Sequence, residues 1–423
     1  MNPPPSPEAG PEAWTPEGLD LLDEEFAACP YPALRALREE HPVHHDDTTG
    51  LWLVSRHADV RAVLLDPGTF RNDNTLNAVT ALRVPALRAL ARADFVLPPA
   101  LFNNSEDSHT GLRALALRFL SAARVRAGLP DIERIVAEEL DLLGEELDRS
   151  GRADIARTVA RSVPIRVLLG LLGIEKSPGV DTLYDWTQAS IELFWGRPDP
   201  VRQRDLAQGA AAFYGWLTET VRRTDVPANS VLGALRRHRL PGGTPLATEQ
   251  AASVLYNVLV AGHVTTGQFL CSAFLRALDG EGTWRRLAQA PREIPAWLEE
   301  VLRRDAPLTA WRRVTARPVT LGGVALPAGA ELLLLLTSSG WDTAVFDEPD
   351  TLCPARPNLR AHLAFGTGVH RCPGAELARA EGDAVLRLAV RRFPGLRRVG
   401  PERPPYLASL AFRAPRSVLV SVR

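Results

Sequence analysis

Apolar residues recur at three- and four-residue spacing through most of the chain after His109, the period of helices that bury one face. The spacing predicts helices over 112–123, 130–148, 155–172, 181–193, 201–224 and 249–278, and a further helix over 294–304 that stops short of Pro307. Before them, LWLVS at 51–55 reads as a short strand, and 58–65 reads as a helix ended by the Pro67-Gly68 turn. Alternation around VTL, a Gly-Gly turn and the Leu332 to Leu336 run predict strands over 314–336. Residues 72–108 mix Asn, Pro and Asp with apolar positions, the pattern of a long irregular segment of the kind that usually carries function. Residues 1–18 are rich in Pro and acid, too polar to bury a core, and read as a disordered leader. Without a repeat or linker, 19–423 reads as one domain, mainly α with a small β part.

Composition adds exclusions. Hydrophobic residues make up 45% and charged residues 23%, the balance of a globular protein. The 49 basic and 50 acidic residues nearly cancel, so no charge excess asks for nucleic acid or an anionic membrane. No run of eighteen apolar residues suggests a membrane span. Cys29, Cys271, Cys353 and Cys372 are scattered without a C-x-x-C pair, which fits a reducing cytoplasm better than a disulfide framework or a structural zinc site.

The informative string is Phe365-Gly-Thr-Gly-Val-His-Arg-Cys-Pro-Gly-Ala-Glu-Leu-Ala-Arg379. Gly366, Gly368 and Gly374 around one cysteine describe a tight loop whose backbone approaches a planar ligand, with a helix beginning near Gly374. That helix N-terminus, His370 and Arg371 are expected to lower the Cys372 thiol pKa and favour metal ligation. Glu300 and Arg303, at i and i+3, share a helix face and can pair. Gly262, inside the predicted helix 249–278, costs roughly 1 kcal/mol relative to Ala and needs a reason.

The cysteine string resembles the haem-binding loop of the cytochrome P450 family, and Ala375, Leu377, Ala378, Arg379 and Glu381 continue that likeness into the following helix. Other pieces follow in family order from about Trp52 to Glu381. Glu300-Val-Leu-Arg303 resembles the E-x-x-R pair, with Arg356 at the place of its later arginine partner. His109-Thr-Gly-Leu-Arg113 resembles the propionate-binding H-x-x-x-R, joined by Arg313 and His370. Ala261-Gly-His-Val-Thr-Thr266 resembles the oxygen-binding stretch of the long helix. The resemblance implies the cytochrome P450 fold, a haem b cofactor (iron protoporphyrin IX) and Cys372 as the iron ligand. It also implies Phe365, Gly366, Gly374, Ala261 and Gly262 at the haem, and Thr265 as the residue that hydrogen-bonds dioxygen and helps deliver protons. A thiolate ligand pushes electron density to the iron and favours O–O cleavage.

Two departures from the family pattern stand out. Val264 occupies the usual place of a carboxylate, so Thr265 lacks its acid unless His263, Thr266 or water substitutes. Pro373, after the ligand, offers no N–H to the sulfur. Some family members with Pro there use peroxide, but they lack the threonine kept here as Thr265. The expected function is a monooxygenase that hydroxylates, epoxidises or couples a small organic or peptidic substrate in secondary metabolism. The alternatives are an aryl or peptide cross-linking oxidase without oxygen insertion, or a non-catalytic haem protein.

Substrate contacts are expected in 96–104, 186–194, 257–261, 308–311 and 407–412, with Trp195, Trp311, Arg312 and Asn103 as candidates. Electrons are expected from a ferredoxin and its reductase, docking on a basic face around Arg371. The protein is expected to be a cytoplasmic monomer.

Overall fold

The computed structural model describes residues 19–223, 226–227, 230–280 and 282–422; the leader expected over 1–18 lies outside them. The chain opens with helices α1 (Glu24–Ala28) and α2 (Tyr31–Glu40), then the hairpin β1 (Val43–Asp46) and β2 (Leu51–Val54), α3 (His57–Leu65) and β3 (Phe70–Arg71). Helices α4 (Val84–Arg92), α5 (Ser108–Phe119) and α6 (Ala122–Ser150) follow. After β4 (Ala153–Asp154) come α7 (Val159–Leu172), α8 (Val180–Trp195), α9 (Pro200–Arg222), α10 (Val231–Arg237) and α11 (Thr248–Asp279). Next are α12 (Thr283–Gln289), α13 (Ile294–Arg304) and the strands β5 (Trp311–Thr315), β6 (Val319–Leu321), β7 (Val324–Leu326) and β8 (Glu331–Leu334). The chain closes with α14 (Leu336–Ser339), α15 (Ala375–Arg392), β9 (Arg397–Arg398) and β10 (Leu419–Ser421).

The structure is mainly helical with small sheets. Three expectations change. The irregular segment 72–108 contains α4, which uses Pro85 in its first turn, where a missing N–H is harmless. Helix α6 begins at Ala122 and runs through Pro130, because the Ser121 side chain caps the amide of Arg124 and Val125 and Ile132 are buried on either side of the proline. The leucine run stops being strand at Leu334, and Leu336 starts α14.

The main sheet has the order β1-β2-β8-β5-β3, with β2 parallel to β8 and the other pairs antiparallel. The β5–β8 register sets Arg313 opposite Leu332, so the strand delivers a cation into an apolar layer. Helix α11 crosses the main core, flanked by α7, α9 and α15. It is the one helix among the described residues long and apolar enough to cross a membrane, and 72% of its most apolar stretch is buried inside the protein.

Candidate functional site

The cysteine loop is closed by its own backbone. The Cys372 amide donates to Phe365 O at 2.8 Å, the Gly366 amide to Leu363 O at 2.8 Å, and the Arg371 amide to Gly368 O at 3.1 Å. Gly366 has φ +61°, and a Cβ placed there would meet nothing within 4 Å. Gly368 has φ +72°, and its Cβ would lie 2.5 Å from Leu64 O, so glycine lets the loop rest on the end of α3. The nearest atom to a Cβ on Gly374 would be Cys372 Sγ at 3.9 Å, and α15 starts at the next residue.

The electrostatics differ from expectation. Burial pushes the Cys372 thiol up, and the Gly374 amide with Arg113, Arg371 and Arg379 oppose it without winning. His370 adds no charge: burial, with His109, Arg313 and Arg113 nearby, takes its pKa down to about 3. A neutral imidazole cannot do what the sequence assigned to an imidazolium.

Around that loop the fold gathers the other predicted residues. The rings of His109, at the start of α5, and His370 are 4.3 Å apart between centroids. Arg113, one turn along α5, donates to Arg371 O at 2.6 Å. Asn72, not anticipated from sequence, places its amide 3.4 Å from His370 Nε2. Arg313 is 3% exposed, its guanidinium donates to Arg312 O at 2.7 Å, and among the described residues no carboxylate pairs with it. Burial alone takes its pKa down to about 10. Such a cation calls for an anion, and a propionate-bearing cofactor fits.

On α11, Ala261 and Thr265 lie one turn apart. Ala261 is exposed and Thr265 half-buried in a helix whose other faces are packed, so this stripe fronts open space. Thr265 Oγ1 donates to Ala261 O at 2.6 Å. Gly262 also has a packing reason: its Cβ would lie 2.8 Å from Leu168 Cδ2 on α7. His263 sits about 200° around the helix from Thr265, and burial takes its pKa down to about 3. Thr266 donates to Gly262 O at 2.7 Å. Neither stands in for a carboxylate beside Thr265.

Glu300 and Arg303 form a bidentate pair at 2.8 Å and 2.8 Å, both fully buried. Arg356 Nε joins Glu300 at 3.0 Å, and Arg303 also donates to Gly340 O and Pro349 O. The arrangement holds the segment between α14 and the cysteine loop onto α13.

Among the expected substrate contacts, several are engaged inside the protein. Asn257 Oδ1 accepts the amides of Leu101 and Phe102, and Asn103 Oδ1 accepts that of Ala100. Arg312 donates to Asn77 O, and Trp195, 1% exposed, stacks on Trp311 at 6.2 Å. Trp311 is half-buried, edge-on to Phe102.

The site thus combines a part-buried cysteine loop leading into α15, a glycine cradle, a set of cationic and imidazole groups and a stripe on the core helix. Residues 293–414 match the family model Cytochrome P450. The chain is 30% identical to Cytochrome P450 107B1 of Saccharopolyspora erythraea, over 90% of this chain and 93% of that one. It is 27% identical to Polyketide biosynthesis cytochrome P450 PksS of Bacillus subtilis (strain 168), over 94% and 97%. A solved structure of cytochrome P450 CREJ in complex with (4-ethylphenyl) dihydrogen phosphate superposes with TM-score 0.90 at 28% identity, covering 96% of this chain and all of that one. The chain belongs to the cytochrome P450 family and is a cytochrome P450 monooxygenase, an oxidoreductase whose family implies a haem-thiolate cofactor.

Proposed function

We propose that Cys372 ligates the iron of haem b and that the protein oxidises a small organic substrate in secondary metabolism. The observation that carries the cofactor assignment is Arg313, a buried guanidinium with no carboxylate partner among the described residues, set close enough to His370 to depress its pKa. Arg313, Arg113, His109 and His370 would hold the two propionates, and Gly366 would leave room for the ring. Bound there, the thiolate-ligated haem supplies dioxygen cleavage. Thr265 orients and passes protons at its hydroxyl, the packed faces of α11 exclude water, and the half-buried Trp311 and Phe102 offer the substrate an aromatic wall. The likeness to PksS, named for polyketide biosynthesis, supports the secondary-metabolite reading.

Electrons would come from a ferredoxin and its reductase in the cytoplasm, to a monomeric enzyme. Exposed Arg371 beside Cys372 would face the donor. The test of the ligand is the carbon monoxide difference spectrum of the reduced protein: a red-shifted Soret band of thiolate type, abolished in Cys372→Ala. A histidine-type spectrum in fresh protein refutes the assignment.

A second reading, oxidative coupling without oxygen insertion, is favoured by one observation. Val264 is 3% exposed, and neither His263 nor Thr266 offers an acid beside Thr265. Product mass separates the two, since insertion adds an oxygen atom and coupling removes two hydrogens. If Val264→Glu leaves coupling efficiency and products unchanged, the second reading falls.

A further inference from the structure

Glu299 and Glu300 are neighbours on α13, about 100° apart around the helix, and their carboxylates serve different segments. Glu300 takes Arg303, Arg356 and the Cys353 amide. Glu299 turns to the cysteine loop. Its Oε2 lies 3.1 Å from His362 Nε2 and 3.1 Å from Arg379 Nη2, and its Oε1 accepts from Arg379 Nε. The Ala364 amide donates to His362 Nδ1 at 3.3 Å, so the imidazole carries a proton on Nε2 and donates it to Glu299.

His362 lies upstream of the loop and Arg379 downstream of it, so one carboxylate ties both ends. The Arg379 guanidinium lies over the Phe365 ring, 4.7 Å from its centroid. Phe365 O in turn accepts the Cys372 amide at 2.8 Å. Arg379 also pairs with Glu376 in the first turn of α15 at 2.9 Å. The side chains of Glu299 and His362 are 7% and 3% exposed. Burial works against the Glu299 charge, but the hydrogen bonds of His362 and Arg379 outweigh it and hold the carboxyl at about 2.

We infer that Glu299 is a positioning residue for Cys372: through His362 and Arg379 it clamps the loop that presents the sulfur and balances the Arg379 charge beside that loop. The inference rests on Cys372 being the haem ligand. Partners of a metal ligand tune both its geometry and the metal's electronics, so the clamp has a structural and an electronic signature. Removing the charge while keeping the shape separates them.

The test compares Glu299→Gln and Glu299→Ala with the unaltered holoenzyme. Glu299→Gln is expected to keep the haem and the thiolate-type carbon monoxide band but to raise the reduction potential, because reduction adds negative charge beside a site that has lost one. Glu299→Ala is expected to lose the thiolate band in mild denaturant faster, on the order of 10- to 100-fold. It should also speed amide exchange in 362–372 while leaving exchange in 132–147 unchanged. His362→Ala should reproduce the faster band loss. An unchanged potential in Glu299→Gln, or equal acceleration of exchange in both segments of Glu299→Ala, overturns the inference. The exchange readout does not depend on the ligand: if Cys372→Ala keeps the native spectrum, the ligand assignment fails, while selective loosening of 362–372 still supports the clamp.

Discussion

Arg313→Met should make the haem-free chain more stable and the haem-loaded enzyme weaker, a reversal that ordinary packing does not produce. The guanidinium is 3% exposed, and burial alone moves its pKa well below the ordinary arginine value, to about 10. At about 1.36 kcal/mol per unit this is about 3 kcal/mol against the charged folded form. The folded pKa is depressed for a base, so the unfolded chain binds the proton more tightly. The penalty is therefore complete below pH 10 and fades only as pH rises toward 12.5. At neutral pH the variant should gain up to about 3 kcal/mol in urea unfolding of the haem-free chain, somewhat less once the lost bond to Arg312 O is counted. With haem, a propionate supplies the missing counter-charge, and removing one partner of a buried pair costs about 3–5 kcal/mol. Haem transfer from the variant to a haem-free acceptor protein should then run on the order of 100-fold faster or more. If Arg313→Met destabilises the haem-free and haem-loaded forms alike and leaves haem transfer unchanged, the propionate reasoning is refuted.

Other expectations follow from the same geometry. Glu300→Gln should lower stability by about 3–5 kcal/mol in denaturant titration, since Arg303 and Arg356 would keep buried charges without their carboxylate; a loss under 1 kcal/mol would show the pair to be replaceable. Glu299, held at about 2, stabilises the fold above its ordinary value of 4.5 and loses that contribution as pH falls from 4.5 toward 2. Glu299→Gln should therefore flatten the acid limb of the stability profile, and an identical limb would contradict the ion cluster. Pro373→Leu restores an amide next to the sulfur and should raise the haem reduction potential; spectroelectrochemistry showing no shift would end that argument.

Much of this protein is legible locally. Helices α5 to α9, α11 and α13 follow from apolar spacing, because a 3.6-residue period needs no knowledge of what the buried face meets. The loop around Cys372 is equally local: Gly366 and Gly368 adopt left-handed φ, and Cys372 closes on Phe365 within one string. Glu300 and Arg303 could be paired from their i and i+3 spacing. Helix α4 escaped because its Pro85 reads as a breaker until it is placed in a first turn.

What the sequence determined was a mainly helical cytochrome P450 scaffold with Cys372 in its loop, Thr265 on its long helix and an i,i+3 ion pair, all carried by short-range strings. Tertiary structure decided the environment of those groups, since desolvation and pairing depend on neighbours distant along the chain. It made His370 neutral by burying it beside His109, Arg113 and Arg313, and it left the Cys372 thiol pushed up where local charges alone argued for the reverse. It packed Gly262 against Leu168 and buried His263. It set Arg313 in an apolar layer with no carboxylate partner among the described residues, and it brought to Glu299 partners 63 and 80 residues away. Those separations are why the clamp behind Cys372 is invisible to any window of sequence: an ion pair at i and i+3 is fixed by helix geometry, whereas one closed by the fold exists only once the core has packed.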